Sequence, residues 1–241
     1  MLETEQAPPR RLYLLGGFEL HEAGEVVDMP AASQRVLAFL ALQQRRVSRP
    51  LLAGTLWPET TDARAGANLR SALWRLRRPG HDLLTCTPTH LALHDGVWVD
   101  ARESARASRA LLDGGEPVPS IDPRCFGDEL LPDLWDGWLV IERERVRQLH
   151  LHALERVCLR LTEQGDLAQA ILAGITAVEM DPLRESANRI LIQAHLAEGN
   201  RVEAIRQFDA YRRLLAEELG LLPSAELFRL TGIDAAAVMP P

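Results

Sequence analysis

The chain has 241 residues, 46% apolar and 25% charged, with a net charge of −7. These are the proportions of a globular protein with one or two cores, and no apolar run is long enough for a membrane span. Three cysteines, at 86, 125 and 158, are an odd number at no metal-ligand spacing, which points to reduced thiols and a cytoplasmic protein. The first ten residues, MLETEQAPPR, are acidic and proline-containing and do not read as a secretory leader. RLYLLGGFEL (11–20) and the segment near Val26-Val27 read as short strands, with a turn at Gly16-Gly17. Ser33 is expected to cap a helix through QRVLAFLALQQRR, and Ser48 a short helix through RPLLAGTLW, with Pro50 in its first turn and Trp57-Pro58 at its end. After a short connection comes RAGANLRSALWRLRR (64–78), which Thr61 or Asp62 is placed to cap and Pro79-Gly80 to stop. LLTCTPTHLALHDGVWVD (83–100) alternates and turns at Pro88 and at Asp95-Gly96, the pattern of a β-hairpin. A small sheet, three helices and a closing hairpin give a winged helix-turn-helix domain over 10–99, its last helix placed to read a major groove.

That last helix is the most informative stretch. Residues 64–78 carry five arginines and no acid, inside a chain that is net acidic. At about 100° per residue, Ala65, Leu69, Ala72, Leu73 and Leu76 fall in one apolar arc. Arg64, Asn68, Ser71, Arg75 and Arg78 lie along one flank and Arg70 and Arg77 along the other, with Trp74 opposite the stripe. A helix with one apolar stripe and one basic surface is the footprint of nucleic-acid binding. Asn68, Ser71 and Arg75 are the candidates for base edges, since Arg pairs in bidentate fashion with guanine and Asn with adenine. Arg64, Arg70, Arg77 and Arg78 suit phosphates. Trp74 suits sugar-phosphate, a neighbouring protomer or support of the wing. Arg35, Arg45, Arg46 and Arg49 are read first as solvated surface and second as backbone contacts from the first helices.

Residues 100–241 carry 16 Arg and 24 acids, against 11 and 10 in residues 1–99, so the second half is acidic and suits protein partners rather than DNA. All 27 basic residues are arginine, a composition associated with high-GC bacterial genomes. DGGEPVPSIDPR (113–124) reads as a loop. Beyond it the pattern is helical: Trp138 to Leu161, then 167–179, 184–197, 201–218 and a short helix after Pro223-Ser224. QGDLAQAI (164–171) and EGNRVEAI (198–205) repeat at an offset of 34, the period of tetratricopeptide helix pairs. The fold class is therefore an α+β winged helix-turn-helix domain followed by an all-α, tetratricopeptide-like domain over 100–234, with Trp135 and Trp138 expected in its apolar stripes.

On these segments the chain resembles the Streptomyces antibiotic regulatory protein family. The carrying residues are QRVLAFLAL, VSRPLLAGTLWP and ANLRSALWRLRR, then GDELLPDLWDGWLVIERERVRQLHLHALERV and DPLRESANRILIQAHLAEGNRVEAIRQFDAYRRLLAEELGLLPSAEL. The resemblance covers about residues 11–232. It implies an OmpR-type winged helix joined to a bacterial transcriptional activation domain. It further implies an activator, not an enzyme, that binds direct repeats in double-stranded promoter DNA as a head-to-tail homodimer. Such an activator recruits RNA polymerase holoenzyme through its sigma factor and alpha subunit, and switches on secondary-metabolite clusters. The expected location is the cytoplasm, at the nucleoid. Larger relatives append an ATPase module; no GxxxxGK[ST] sequence is present here, so the chain reads as a small standalone type or as the N-terminal part of a larger one.

One departure bears on the site. Wings of this fold offer Arg or Lys at the hairpin tip, where this chain has Thr85, Cys86, Thr87, Pro88, Thr89 and His90. Thr87 and Thr89 are left as hydroxyl donors to phosphate, and site affinity is expected to lean on the Arg-rich helix. No metal, cofactor or nucleophile constellation is read: His90 and His94 share a strand face without further ligands, and His150 and His152 do not share a helix face. The alternative function is a helical-repeat interaction module whose winged helix serves protein contacts.

Overall fold

A computed structural model describes residues 10–76, 83–114 and 126–233. Arg77, Arg78, the stop at Pro79-Gly80, most of the 113–124 loop and Cys125 lie outside the described residues. The chain forms two compact units that are discontinuous in sequence. The first takes the described residues up to Ala105 together with Asp128–Val146, and the second takes the remainder.

In the first unit, β1 (Arg10–Tyr13), β2 (Glu19–Glu22) and β3 (Glu25–Val26) form an antiparallel meander. Gly16 and Gly17 make the β1–β2 turn with φ of 78° and 153°, a region open to residues without a Cβ. Three helices follow, α1 (Ala31–Leu42), α2 (Arg49–Leu56) and α3 (Asp62–Leu76), with the two-residue strand β4 (Val47–Ser48) between the first two. Strands β5 (Leu84–Cys86) and β6 (His90–Leu93) pair as a hairpin, and β4 adds to its β6 edge. The expected second half of that hairpin goes elsewhere. After Asp95-Gly96, β7 (Val97–Val99) leaves β6 and pairs in parallel with β1, giving the order β3-β2-β1-β7. Alternation alone does not distinguish these partners, because Val97 and Val99 are buried in either sheet.

The core of this unit joins Leu12, Leu14 and Leu20 of the sheet to Val36, Leu37 and Leu40 of α1, Leu52 and Leu56 of α2, and the α3 stripe. Two details differ from expectation. Pro30, not Ser33, occupies the N-cap of α1 and makes no side-chain cap bond. Ser33 is fully buried one turn in, where its hydroxyl donates to the Ala72 carbonyl of α3 at 3.3 Å. The helix also ends at Leu42, because Gln43 is already extended towards β4. Asp128–Val146 adds to the end of β1. Gly16 N–H donates to Glu129, Leu131 N–H to Leu14, and Leu15 bridges Leu130. Arg143 donates to the carbonyls of Leu130, Leu131 and Leu134, which fixes this connection where Leu131 has φ of 49°. Trp138 packs edge-on against Phe39 at 4.9 Å, whereas Trp135 is 88% exposed with the Arg143 guanidinium over its ring, so the expected core role fails for Trp135.

The remaining helices are α4 (Asp100–Leu112), α5 (Leu139–Gln164), α6 (Leu167–Met180), α7 (Glu185–Ala197), α8 (Arg201–Leu219) and α9 (Ala225–Thr231). In the second unit α6, α7 and α8 pack as successive neighbours, and the 34-residue repeat has a physical basis at each turn. Gly165 and Gly199 take φ of 83° and 84°. The next residues, Asp166 and Asn200, cap α6 and α8 by accepting the N–H bonds of Gln169 and Glu203, each at 3.4 Å. Small residues then let the helices approach: a Cβ on Gly174 would meet the Leu191 backbone at 3.3 Å. The DPLRE stretch is a polar junction. Asn188 donates to the Pro182 and Arg184 carbonyls and accepts from Gln207, Arg184 pairs with Glu155, and Glu185 accepts the Ser224 N–H.

Candidate nucleic-acid interface

The five residues expected to form the apolar stripe of the basic helix, Ala65, Leu69, Ala72, Leu73 and Leu76, are the buried residues of α3. Burying this stripe against α1 and α2 fixes which face of α3 looks outward. On that outward surface Arg64, Arg70, Ser71 and Arg75 are exposed, Asn68 is half-buried and Trp74 is 76% exposed. No ion pair or hydrogen bond holds the side chains of Arg64, Arg70 or Arg75 among the described residues. Among the described residues of this unit Arg45 and Arg46 are likewise exposed and without an ion pair or hydrogen bond, whereas Arg35 and Arg102 are committed. Arg35 binds Asp136 and the Leu56 carbonyl beneath Trp57, and Arg102 binds the carbonyls of Leu40, Ala41 and Gln43. Arg35, expected as solvated surface, is therefore structural.

Arg70 folds back over Gly66, its guanidinium 3.5 Å from where a Cβ would stand, as helical side chains lean towards the N-terminus. There it lines a cleft of about 690 Å³ whose walls include Arg49, Pro50, Ala53 and Gly54 of α2, Pro88 of the hairpin turn and Asp62 at the start of α3. Arg49, read in the sequence first as solvated surface and second as a backbone contact, stands at the hairpin. Its guanidinium donates to the Thr87 carbonyl at 3.0 and 3.2 Å, and its N–H donates to the Thr89 carbonyl. A cation thus stands at the hairpin turn, supplied by α2 and not by the hairpin itself. The signal in the sequence is the Ser48 cap: Ser48 accepts the Leu51 N–H, which sets the start of α2 and puts Arg49 on its first turn beside β6.

The wing hydroxyls are less free than expected. Thr87 Oγ1 donates to the His90 carbonyl at 3.1 Å and accepts the His90 N–H at 2.9 Å, closing the turn. Thr89 Oγ1 shares a hydrogen bond with His90 Nδ1, and His94 Nδ1 accepts the Gly96 N–H. The two expected strand histidines are thus locally satisfied, and no metal-holding group of His, Cys, Asp and Glu occurs among the described residues.

A buried-stripe helix with free cations outward stands beside a hairpin and ahead of a helical-repeat unit, an arrangement that fits a winged helix joined to a helical domain. Residues 93–232 match the family described as bacterial transcriptional activator domain. The chain belongs to that family and is of the Streptomyces antibiotic regulatory type, as its resemblance implied. It is 30% identical over 95% of its length to the regulatory protein AfsR of Streptomyces coelicolor, and 29% identical over 91% to the regulatory protein AfsR of Streptomyces griseus. It spans about a quarter, 24%, of each of those relatives. Its fold is like that of Mycobacterium tuberculosis EmbR, solved in complex with a low-affinity phosphopeptide, with a TM-score of 0.67 and 21% identity over 93% of this chain and 64% of that one.

Proposed function

We propose that this protein is a promoter-specific activator whose α3 lies in the major groove. The observation that carries the reading is the set of uncommitted guanidiniums, Arg64, Arg70 and Arg75, on the outward face of a helix whose other face is buried. Arg75, Ser71 and Asn68 read base edges; Arg64 and Arg70 hold phosphates, as do Arg77 and Arg78 beyond the described residues. Arg49 joins them across the cleft, and Thr89 is the better placed of the two wing hydroxyls for a backbone contact. Paired protomers on direct repeats about 10 base pairs apart stand on one face of the DNA. The acidic second half suits contact with RNA polymerase, through its sigma factor or alpha subunit, at promoters of secondary-metabolite clusters.

Gel shifts across a salt series, on the region upstream of its own gene and on random duplexes, test this. Arg75→Ala is expected to cost about 1–3 kcal/mol and relax sequence choice, while Arg70→Ala weakens all sequences alike and lowers the salt slope by about one. Wild-type protein that shifts no duplex above random DNA at low salt would overturn the reading in favour of protein contacts by the winged helix.

A further inference from the structure

Trp74 is the one large apolar side chain exposed on α3, and neither a core role nor a phosphate role accounts for it. Its position is opposite the buried stripe, next to Arg75 and one turn after Arg70 and Ser71. A helical side chain leans towards the preceding turn, so the indole stands on the middle of the outward surface. Free cations border it, a setting suited to a polyanion and hostile to an apolar or cationic protein face. In the major groove the apolar feature of a base pair is the thymine C5-methyl group. We infer that Trp74 reads thymine by packing its indole on that methyl, alongside the polar contacts of Ser71 and Arg75. The inference rests on the proposed placement of α3 in the major groove.

The test uses the full chain and a duplex selected by it from a randomised pool. Each dT of the selected site is replaced singly by dU, which removes the methyl and leaves every hydrogen-bonding group. Burying one carbon of this kind corresponds to about a four-fold change in affinity. Wild type is expected to lose about that much at one or two thymines. Trp74→Ala should bind the dT and dU duplexes equally at those positions, and Arg75→Ala should keep the discrimination. Specific binding by wild type that is indifferent to the methyl at every position would overturn the thymine assignment and leave the DNA-binding reading intact. So would a Trp74→Ala protein that still discriminates, or one whose only change is in self-association. Failure to select any sequence would overturn both.

Discussion

Among single residues, arginines differ in what surrounds their guanidiniums, and Arg35 stands at the scaffold end of that range. Arg35 is held by Asp136 through Nε at 2.9 and 3.1 Å, by the Leu56 carbonyl and by the Trp57 ring at 5.7 Å. Both side chains are mostly removed from water, with 23% and 11% exposure. Asp136→Ala leaves that guanidinium without its charged acceptor, and hydrogen bonds to charged groups are worth about 1.5–3 kcal/mol. The expected loss in urea unfolding is about 2–3 kcal/mol, with a coupling above about 1 kcal/mol in a double-mutant cycle with Arg35→Met. A loss below about 0.5 kcal/mol would return the pair to the class of exposed ion pairs. Nothing in the sequence separates Arg35 from Arg64 or Arg75, because pairing depends on a carboxylate 101 residues away. The α3 face was legible for the opposite reason: its stripe is built largely of leucines at helical spacing and needs no distant partner to be read.

Elements built from small residues were the harder ones to read. Helix α4 buries Ala101, Ser104, Ala107, Ser108 and Leu111, a regular helical face that a search for large apolar side chains passes over. Trp135 misled in the other direction: hydrophobicity marked it for a core, yet the turn it occupies points it at Arg143. The repeat was legible because a glycine followed by an Asp or Asn cap does the same work twice. Gly165 and Gly199 occupy the left-handed region with open space around them, so a methyl side chain meets backbone strain and no clash. Gly165→Ala and Gly199→Ala are therefore each expected to lower stability by about 1–2 kcal/mol and by equal amounts in thermal unfolding. Gly137→Ala is the control: its backbone lies outside that region and nothing stands within 4 Å, so its effect should stay within about 0.5 kcal/mol. Unequal losses at the two repeat turns would mean that their likeness ends at the sequence.

For the molecule as a whole, one buried group in each unit answers acid in the opposite sense to the other. In the first, burial raises the Asp100 carboxyl to about 6, against the opposing bonds from the Leu15, Leu14 and Ala101 N–H groups, and the Asp128 charge pushes the same way as burial. The unfolded chain has its ordinary carboxyl near 3.8. Between these values the native unit holds a proton that the unfolded chain has released, so this contribution is full below about 3.8 and is lost as pH rises through 6. In the second unit His150 lies 5.4 Å edge-on to Phe126, and burial lowers its imidazolium to about 4 from 6.5. Here the unfolded chain takes the proton first, so the contribution is present above 6.5 and is lost as pH falls towards 4. Each is at most about 3 to 3.5 kcal/mol, at about 1.36 kcal/mol per pH unit. Amide exchange at pH 6.5 and 4.5, corrected for intrinsic rates, should show protection rising in β1 and β2 relative to Asp100→Asn. Over the same interval it should fall in α6 and α7 relative to His150→Phe. Changes that run parallel in both units, or that survive both substitutions, would mean that other groups govern the acid response.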